Sequence, residues 1–590
     1  VVSTRQGKNQ QALKINASVM QNFSPAPSLY RLPQMSSSDY IEVERFLFNQ
    51  GLYQNDYNDV NRVGVSPVVE VMYNSSLSEA EKQKMIDAFK TRDVRDDFTQ
   101  YFYQTARAQQ YFVQASAGGL SANWLASAGY DHERDCLDAL NKRLSLRYSL
   151  NLQVLKGLGL QLGLQYSGND NESGKPQYGS VQGHQGGIYP YARFADDAGN
   201  PLPVARDYRL SYLKDLNARL LDWKYYPLTD YGYSTTEGRV DDLNVNTGLS
   251  YQLQDFKFSV NYRFQRQSSR TEFLQTIDSY AVRNMVNGFS QINGNVITYP
   301  MPKGGIDYRS NGLLKAQDLR LQLNYNKTWG VHAVDFMAGG ERRELIGRTE
   351  ALEVYGYDPK LLSDVNVDYV NQYPNYITGS YSNIPSSRSM QQRNTRFLGA
   401  YANLSYTYQS QYLFYGSARR DASNFFGVNT NKKWKPLWSA GLGWIVSNAS
   451  FFKPGTVSLL KFRASYGFSG NADPTQTAIT TIAFAGISPF TQTQWAEIER
   501  HTNPDLRWET VRTTNFGIDF ALLNSRLSGS LDYYLKSGKD LFTAFPIDYT
   551  TGVGPYLIRN VANMRGHGID FQLNSQNLVG ALKWSTQVNL

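Results

Sequence analysis

The chain has 590 residues and a formal net charge of +8, with 14% aromatic and only 19% charged residues, 42 tyrosines and a single cysteine. That length and uniform patterning exclude one ordinary soluble core, and the lone Cys136 excludes an intrachain disulfide. No run of about 18 apolar residues occurs and mean hydropathy is −0.48, which excludes helical membrane spans but not a barrel whose strands give half their side chains to a polar interior.

The basic balance comes from Lys and Arg scattered among Asp and Glu without a basic run, which argues against nucleic acid and for a dispersed charge facing anionic lipid headgroups. The opening residues VVSTRQGK contain no leader-like charged and apolar regions and no initiator Met, so the natural start is expected upstream. Two-residue alternation of apolar and polar side chains first appears near Leu13. In the long connection that follows, Ser38 or Asp39 is placed as N-cap of a helix carrying Tyr40, Ile41, Val43, Phe46 and Leu47. A second helix is expected from Ser78 to Lys90, with Leu77, Met85, Ile86 and Phe89 on its apolar side. Helices in such a loop imply a folded extracellular cap.

Strand patterns then start near Tyr111, Asn123, Arg143 and Leu158. In LGLQLGLQY, Leu158, Leu160, Leu162, Leu164 and Tyr166 share one face, and Gly159, Gln161, Gly163 and Gln165 share the other. Segments of this kind, roughly ten residues long, match what a tilted strand needs to cross a bilayer core. Further starts fall near Leu243, Phe256, Leu319, Val331, Phe397, Tyr412, Trp438, Leu460, Val511, Leu527, Gly568 and Leu582, about 17 strands in all. Tight turns at Gly118-Gly119, Lys156-Gly157, Gln254-Asp255, Trp329-Gly330, Gln409-Ser410, Asn524-Ser525 and Val579-Gly580 alternate with longer connections, and Asn448 to Val457 is intermediate where a short one is due. Such parity is expected of outer-membrane barrels, with short periplasmic turns and long extracellular loops, and it puts the chain start on the periplasmic side. The fold class is therefore all-β, a transmembrane antiparallel β-barrel with long extracellular loops that carry short helices. Leu398, Ala400, Ala402, Leu404, Tyr406 and Tyr408 are expected to face lipid, and Trp438, Trp444, Tyr533 and Tyr534 to sit in aromatic girdles.

No catalytic or metal constellation is readable. Five residues separate Gly168 from Gly174-Lys175, and Pro176 stands where a phosphate loop needs Ser or Thr. His132, His184, His332, His501 and His567 stand singly, and no G-x-S-x-G elbow occurs, so no enzyme activity is expected. Asp59, Asn61 and Gly64 match part of a calcium loop, but Val63 occupies a ligand position and a polar turn is the plainer reading; calcium in the loops is left open and no other cofactor is expected. The loops do carry rings and amides: Trp223, Tyr225, Tyr226, Tyr231 and Tyr233 in one, Tyr369, Tyr373, Asn375, Tyr376 and Tyr381 in another, then Trp495. Flat rings and amides suit hydroxyl-rich or peptide-like ligands. Trp223, Tyr225, Tyr226, Tyr376, Tyr381 and Trp495 are the candidate substrate-binding residues; the competing reading is that these rings pack the loops on one another or on a partner.

Several segments, in order along the chain, resemble the SusC/RagA family of TonB-dependent outer-membrane transporters of Bacteroidetes type. VVSTRQGK at Val1 to Lys8 is similar to the last strand of that family's plug domain, and LPQMSSSDY at Leu32 to Tyr40 is similar to its first-loop motif. RRDASNFFG at Arg419 to Gly427, LKFRASYGFSGN at Leu460 to Asn471, NPDLRWET at Asn503 to Thr510 and NVANMRGHGIDFQLN at Asn560 to Asn574 resemble later signatures. The resemblance implies a barrel of about 22 strands around a plugged lumen. Residues 1–9 would then end the plug and residues 10–590 would form the barrel, with the rest of the plug upstream and about five strands beyond Leu590. It further implies the outer membrane of a Gram-negative bacterium, energy from TonB-ExbB-ExbD through the upstream segment, contact with outer-membrane lipid and lipopolysaccharide, and a SusD-like surface lipoprotein as lid. The lid is expected to meet the first-loop helices and the long segments after Gly168 and Gly347. The implied activity is import of an oligomeric nutrient, glycan before peptide, with no nucleic acid partner. A RagA-like peptide importer, a siderophore or cobalamin receptor without a lid, a passive porin and a surface adhesin are the alternatives.

Overall fold

The computed structural model describes residues 9–183, 186–214, 216–424, 435–453, 455–471, 479–488, 490–491, 493–501, 503, 505–551 and 555–590. The expected end of a plug strand at Val1 to Lys8 and the last residues of RRDASNFFG lie outside them.

One antiparallel sheet of 18 strands dominates, and its long strands pair one after another in sequence order. One of the 18 is only Ser363–Val365. The long strands are β1 (Gln11–Ser24), β2 (Ala106–Gly118), β3 (Ala122–Arg134), β4 (Leu140–Leu155), β5 (Leu158–Glu172), β6 (Ser234–Leu253), β7 (Phe256–Gln275), β8 (Gly305–Trp329) and β9 (His332–Asp358). They continue with β10 (Ser389–Tyr408), β11 (Tyr412–Ser423), β12 (Lys435–Ile445), β13 (Val457–Asn471), β14 (Glu509–Leu522), β15 (Leu527–Pro546), β16 (Tyr556–Val579) and β17 (Lys583–Asn589). Each expected start falls on one of these strands except Val331 and Leu582, which lie one residue before β9 and β17. Among the described residues no pairing joins β1 to β17, which form the two edges of the sheet. The tight turns fall where expected; at Gly157 the backbone has φ +85° and a Cβ would stand 2.6 Å from the Gln252 carbonyl oxygen, so only glycine fits.

Pleating gives the sheet two chemically different faces. Leu319, Leu321 and Leu323 of β8 lie directly opposite Tyr262, Val260 and Phe258 of β7, while Arg320, Gln322 and Asn324 lie opposite Asn261, Ser259 and Lys257. Arg147 of β4 and Arg419 of β11, far apart in the strand order, line one cavity, so the polar face is the concave one. Beside the short turns Trp329, His332, Tyr408, Tyr412 and Trp444 form a row of ring contacts at 5.2–6.4 Å across β8 to β12. Six residues along β12 from Trp444, Trp438 packs against Tyr466 and Phe468 at 5.7 and 5.5 Å. The row beside the turns is the girdle an apolar belt needs at a water boundary, and the Trp438 group stands about 20 Å of strand above it. Tyr534 is a correction: it follows Tyr533, so it points to the opposite, lumenal face, where its hydroxyl stands over Gly568.

The β1–β2 connection holds the expected helices. α1 (Ser37–Asn49) starts earlier than the sequence suggested, because Ser36 is the N-cap, its hydroxyl accepting from the Asp39 amide at 3.1 Å. Next come α2 (Pro67–Tyr73) and α3 (Glu79–Lys90), the latter capped by a reciprocal Ser78–Glu81 box. α4 (Tyr280–Phe289) lies in the β7–β8 connection. No helix among the described residues is long and apolar enough to cross a membrane, which leaves crossing to the strands.

Candidate functional site

The concave face encloses a cavity of about 870 Å³ lined by β4 to β11 and Trp508. Its wall is wired by charge. Glu341 of β9 accepts from Arg320 at 2.9 Å and from Arg419, and Arg419 also donates to Asp421 at 2.7 Å. That chain crosses β10 over Gly399, which stands in register between Glu341 and Asp421; a Cβ there would lie 2.7 Å from the Asp421 carboxylate. Arg343 faces Asp318 at 3.4 Å, and Arg463 bridges Asp519 and Asp532 at 2.8 and 3.0 Å. Asn244, Gln265 and Asp242 add amide hydrogen bonds on the same face. Guanidinium forks paired with carboxylates hold a polar wall rigid while leaving spare donors for a guest. The sequence reading passed over these residues, although their alternation with the belt residues of β8 and β9 was the signal.

Above the wall, the β1–β2, β5–β6, β7–β8 and β9–β10 connections fold together into a cap with its own core, containing Phe98, Phe102, Tyr191, Phe194 and Trp223. Backbone bonds knit it: Val94 donates to Pro190 at 2.7 Å and Gly64 to Asp207 at 2.9 Å. Glu44 of α1 is buried in this core and accepts from the Tyr191 hydroxyl at 2.7 Å. Burial outweighs the hydrogen bonds from Ser66 and Tyr191 and pushes the Glu44 carboxyl up to about 7.

The candidate ring residues divide. Trp223 is fully buried, its indole N–H donating to Asn284 at 2.7 Å and its ring meeting Tyr208 and Tyr376 at 5.1 and 6.1 Å. Tyr225 is buried against Tyr280, with the Arg206 guanidinium 4.8 Å from its ring. Tyr226 and Tyr376 are half-buried, whereas Tyr381 and Trp495 are exposed on two small hairpins. Trp223 and Tyr225 therefore pack the cap, with no open face for stacking. The calcium-like segment is a turn in which the Asn61 amide donates to Asp59 at 2.7 Å, and no metal-holding cluster of His, Cys, Asp or Glu occurs among the described residues.

A sheet with an apolar convex face, a charged lumen and a folded cap defines an outer-membrane receptor barrel, and the chain belongs to the TonB dependent receptor-like, beta-barrel family, which matches residues 177–590. It is similar to the TonB-dependent receptor SusC of Bacteroides thetaiotaomicron, 22% identical over 573 residues covering 88% of this chain and 52% of SusC. It is also similar to the TonB-dependent receptor P3 of Formosa agariphila, 24% identical over 501 residues, 84% of this chain and 46% of P3. In fold it resembles the RagAB peptide importer in its closed-closed state, with a TM-score of 0.74 at 17% identity, covering 99% of this chain and 61% of that one. The resemblance to the SusC/RagA group thus holds by sequence and by fold, and these relatives are receptors and transporters, not enzymes. The chain spans about half the length of the curated relatives it matches.

Proposed function

We propose that this chain is the barrel of a SusC-like importer that carries an oligomeric nutrient, a glycan in the leading reading, across the outer membrane under a SusD-like lid and with energy from TonB-ExbB-ExbD. The observation that carries this reading is the lumen: a wall of ion-paired Arg and carboxylate side chains around about 870 Å³, beneath an aromatic loop cap. Such a wall offers many weak polar contacts to a passing oligomer. Residues 1–9 end a plug in this reading, residues 10–590 form the barrel, and the whole protein contains the remaining plug and strands. Exposed Tyr381 and Trp495, with the half-buried Tyr226 and Tyr376, are the rings left for a ligand.

A peptide cargo is the second reading, and one observation favours it. Two of the candidate rings, Trp223 and Tyr225, are taken up by packing, while the cavity presents guanidinium and carboxylate groups that match charged peptide side chains and termini. Deleting the gene and scoring growth on single glycans and on peptide mixtures separates the cargoes. Loss on one glycan class supports the first reading and loss on peptides alone supports the second; unchanged growth on all of them overturns import. Native mass spectrometry of the gently extracted complex is expected to carry a stoichiometric surface lipoprotein.

A further inference from the structure

On the convex face, just beyond the apolar belt on the extracellular side, β7 and β8 set two cations directly opposite each other. Arg266 pairs in register with Lys315, both side chains are exposed, and no acid bridges either among the described residues. Like charges opposed on one face of an antiparallel pair destabilise it. Four residues nearer the periplasm the same two rows have become Tyr262 and Leu319. Beside the pair, on β9 and β10, Glu344 is shared by Arg342 at 3.0 Å and Arg396 at 2.6 Å, and these guanidiniums are 61% and 59% exposed. The patch thus holds four cations against one carboxylate. The nearby Asp241 is already engaged by Arg239 and by the Tyr166 hydroxyl, at 2.9 and 2.6 Å. At the periplasmic end the convex face is different: Lys327 is neutralised by Asp255 at 2.8 Å.

Height selects the missing anion. From Trp329 in the periplasmic ring row to Lys315 is about 45 Å of strand, or roughly 35 Å of height at a 40° tilt, which is headgroup level above a hydrocarbon core of about 30 Å. We propose that Arg266, Lys315, Arg342 and Arg396 bind the phosphate of a phosphorylated outer-leaflet glycolipid whose acyl chains lie along the Leu319, Leu321 and Val260 belt. A phosphate monoester takes charge-assisted hydrogen bonds from several donors at once, and cross-strand neighbours about 5 Å apart match its oxygens. Free anions have no reason to sit at the upper margin of an apolar belt, whereas a lipid's phosphate is held at that height by its chains.

The full-length protein in phosphatidylethanolamine nanodiscs containing either diphosphoryl lipid A or the same lipid stripped of phosphate provides the test, with retained lipid counted by native mass spectrometry. The wild type is expected to retain the phosphorylated form roughly tenfold better, the size of one charge-assisted hydrogen bond. The Arg266→Gln/Lys315→Gln double variant should lose that preference while Lys315→Arg keeps it. Equal retention of both lipids by the wild type overturns the proposal without reference to any variant. So does an undiminished preference in the double variant, or displacement of the lipid by millimolar inorganic phosphate, which would make the site one for a free anion.

Discussion

The cap and the strand wall bury opposite things. In the cap, Phe98, Phe102, Tyr191, Phe194 and Trp223 are at most 1% exposed and pack ring against ring; in the wall, Leu321, Leu442 and Phe516 are more than half exposed. Solvent makes the difference. The cap folds against water and must hide its rings, whereas the convex face of the wall has hydrocarbon as its solvent, so a leucine left open there is where it belongs. An apolar patch of that size on a water-facing surface would mark a docking site; here it marks the membrane. The polar concave wall reverses the logic again, tying Arg320, Glu341, Arg419 and Arg463 into ion pairs that stay wet inside.

Emptying the cap core should give the largest effect. Trp223→Ala removes a fully buried ring and strips Asn284 of its donor, so the cap is expected to lose about 3–5 kcal/mol. Limited proteolysis should cut the loops while the sheet keeps the heat-modifiable gel mobility of a folded barrel. If both are lost together, cap and wall are one cooperative unit and the comparison fails.

Acidity acts on the cap through Glu44, whose carboxyl is raised from 4.5 to about 7. The folded cap holds this proton to a higher pH than the unfolded chain does. Its contribution is therefore fully present below about pH 4.5, falls as the unfolded chain ionises, and levels off above about pH 7, a total on the order of 3 kcal/mol. Hydrogen exchange of α1 amides between pH 4.5 and 8 should follow that slope, and Glu44→Gln should flatten it. A slope that survives in the variant assigns it to another group.

A charge moved between the wall's two faces gives a smaller effect with a clear sign. Leu321→Arg on the convex face should cost about 2 kcal/mol, while Asn261→Arg on the lumenal face of the adjacent strand should stay within about 0.5 kcal/mol. Urea titration of folding into vesicles measures both. Equal costs would mean that the two faces share one solvent.

How far the sequence could be read follows the same division. The membrane imposes alternation, so the belt rows were legible: Leu319 and Phe397 were placed in strands, but the upper ends from Gly305 and from Ser389 were not, because above the belt no hydrocarbon enforces the pattern. Adjacent Tyr533 and Tyr534 were both sent to the girdle although pleating separates them. In the cap, residue type marked Trp223 and Tyr225 as ligand rings, yet type alone does not distinguish a free ring from one whose N–H is satisfied by Asn284 on a distant helix. The Glu341 network was half legible. Parity with the belt residues could have put its members in the lumen but was not followed that far, and their convergence depends on Gly399 leaving room across β10.

The start of α1 supplies the smallest and most local test. Ser36, one turn before the core, caps the helix through the Asp39 amide, while Ser38 sits inside the first turn with its backbone already helical. Ser36→Ala should cost about 1 kcal/mol of local stability, and Ser38→Ala should cost close to nothing because alanine is the better helix former there. Exchange rates of the Asp39 to Val43 amides in the full-length protein report both. The order matters beyond the cap itself, since Ile41 and Glu44, the two residues that α1 buries most deeply, follow that first turn, and Glu44 accepts from the Tyr191 hydroxyl. A larger loss at Ser38 than at Ser36 would place the helix start at Ser38 and shorten the helix that carries Glu44.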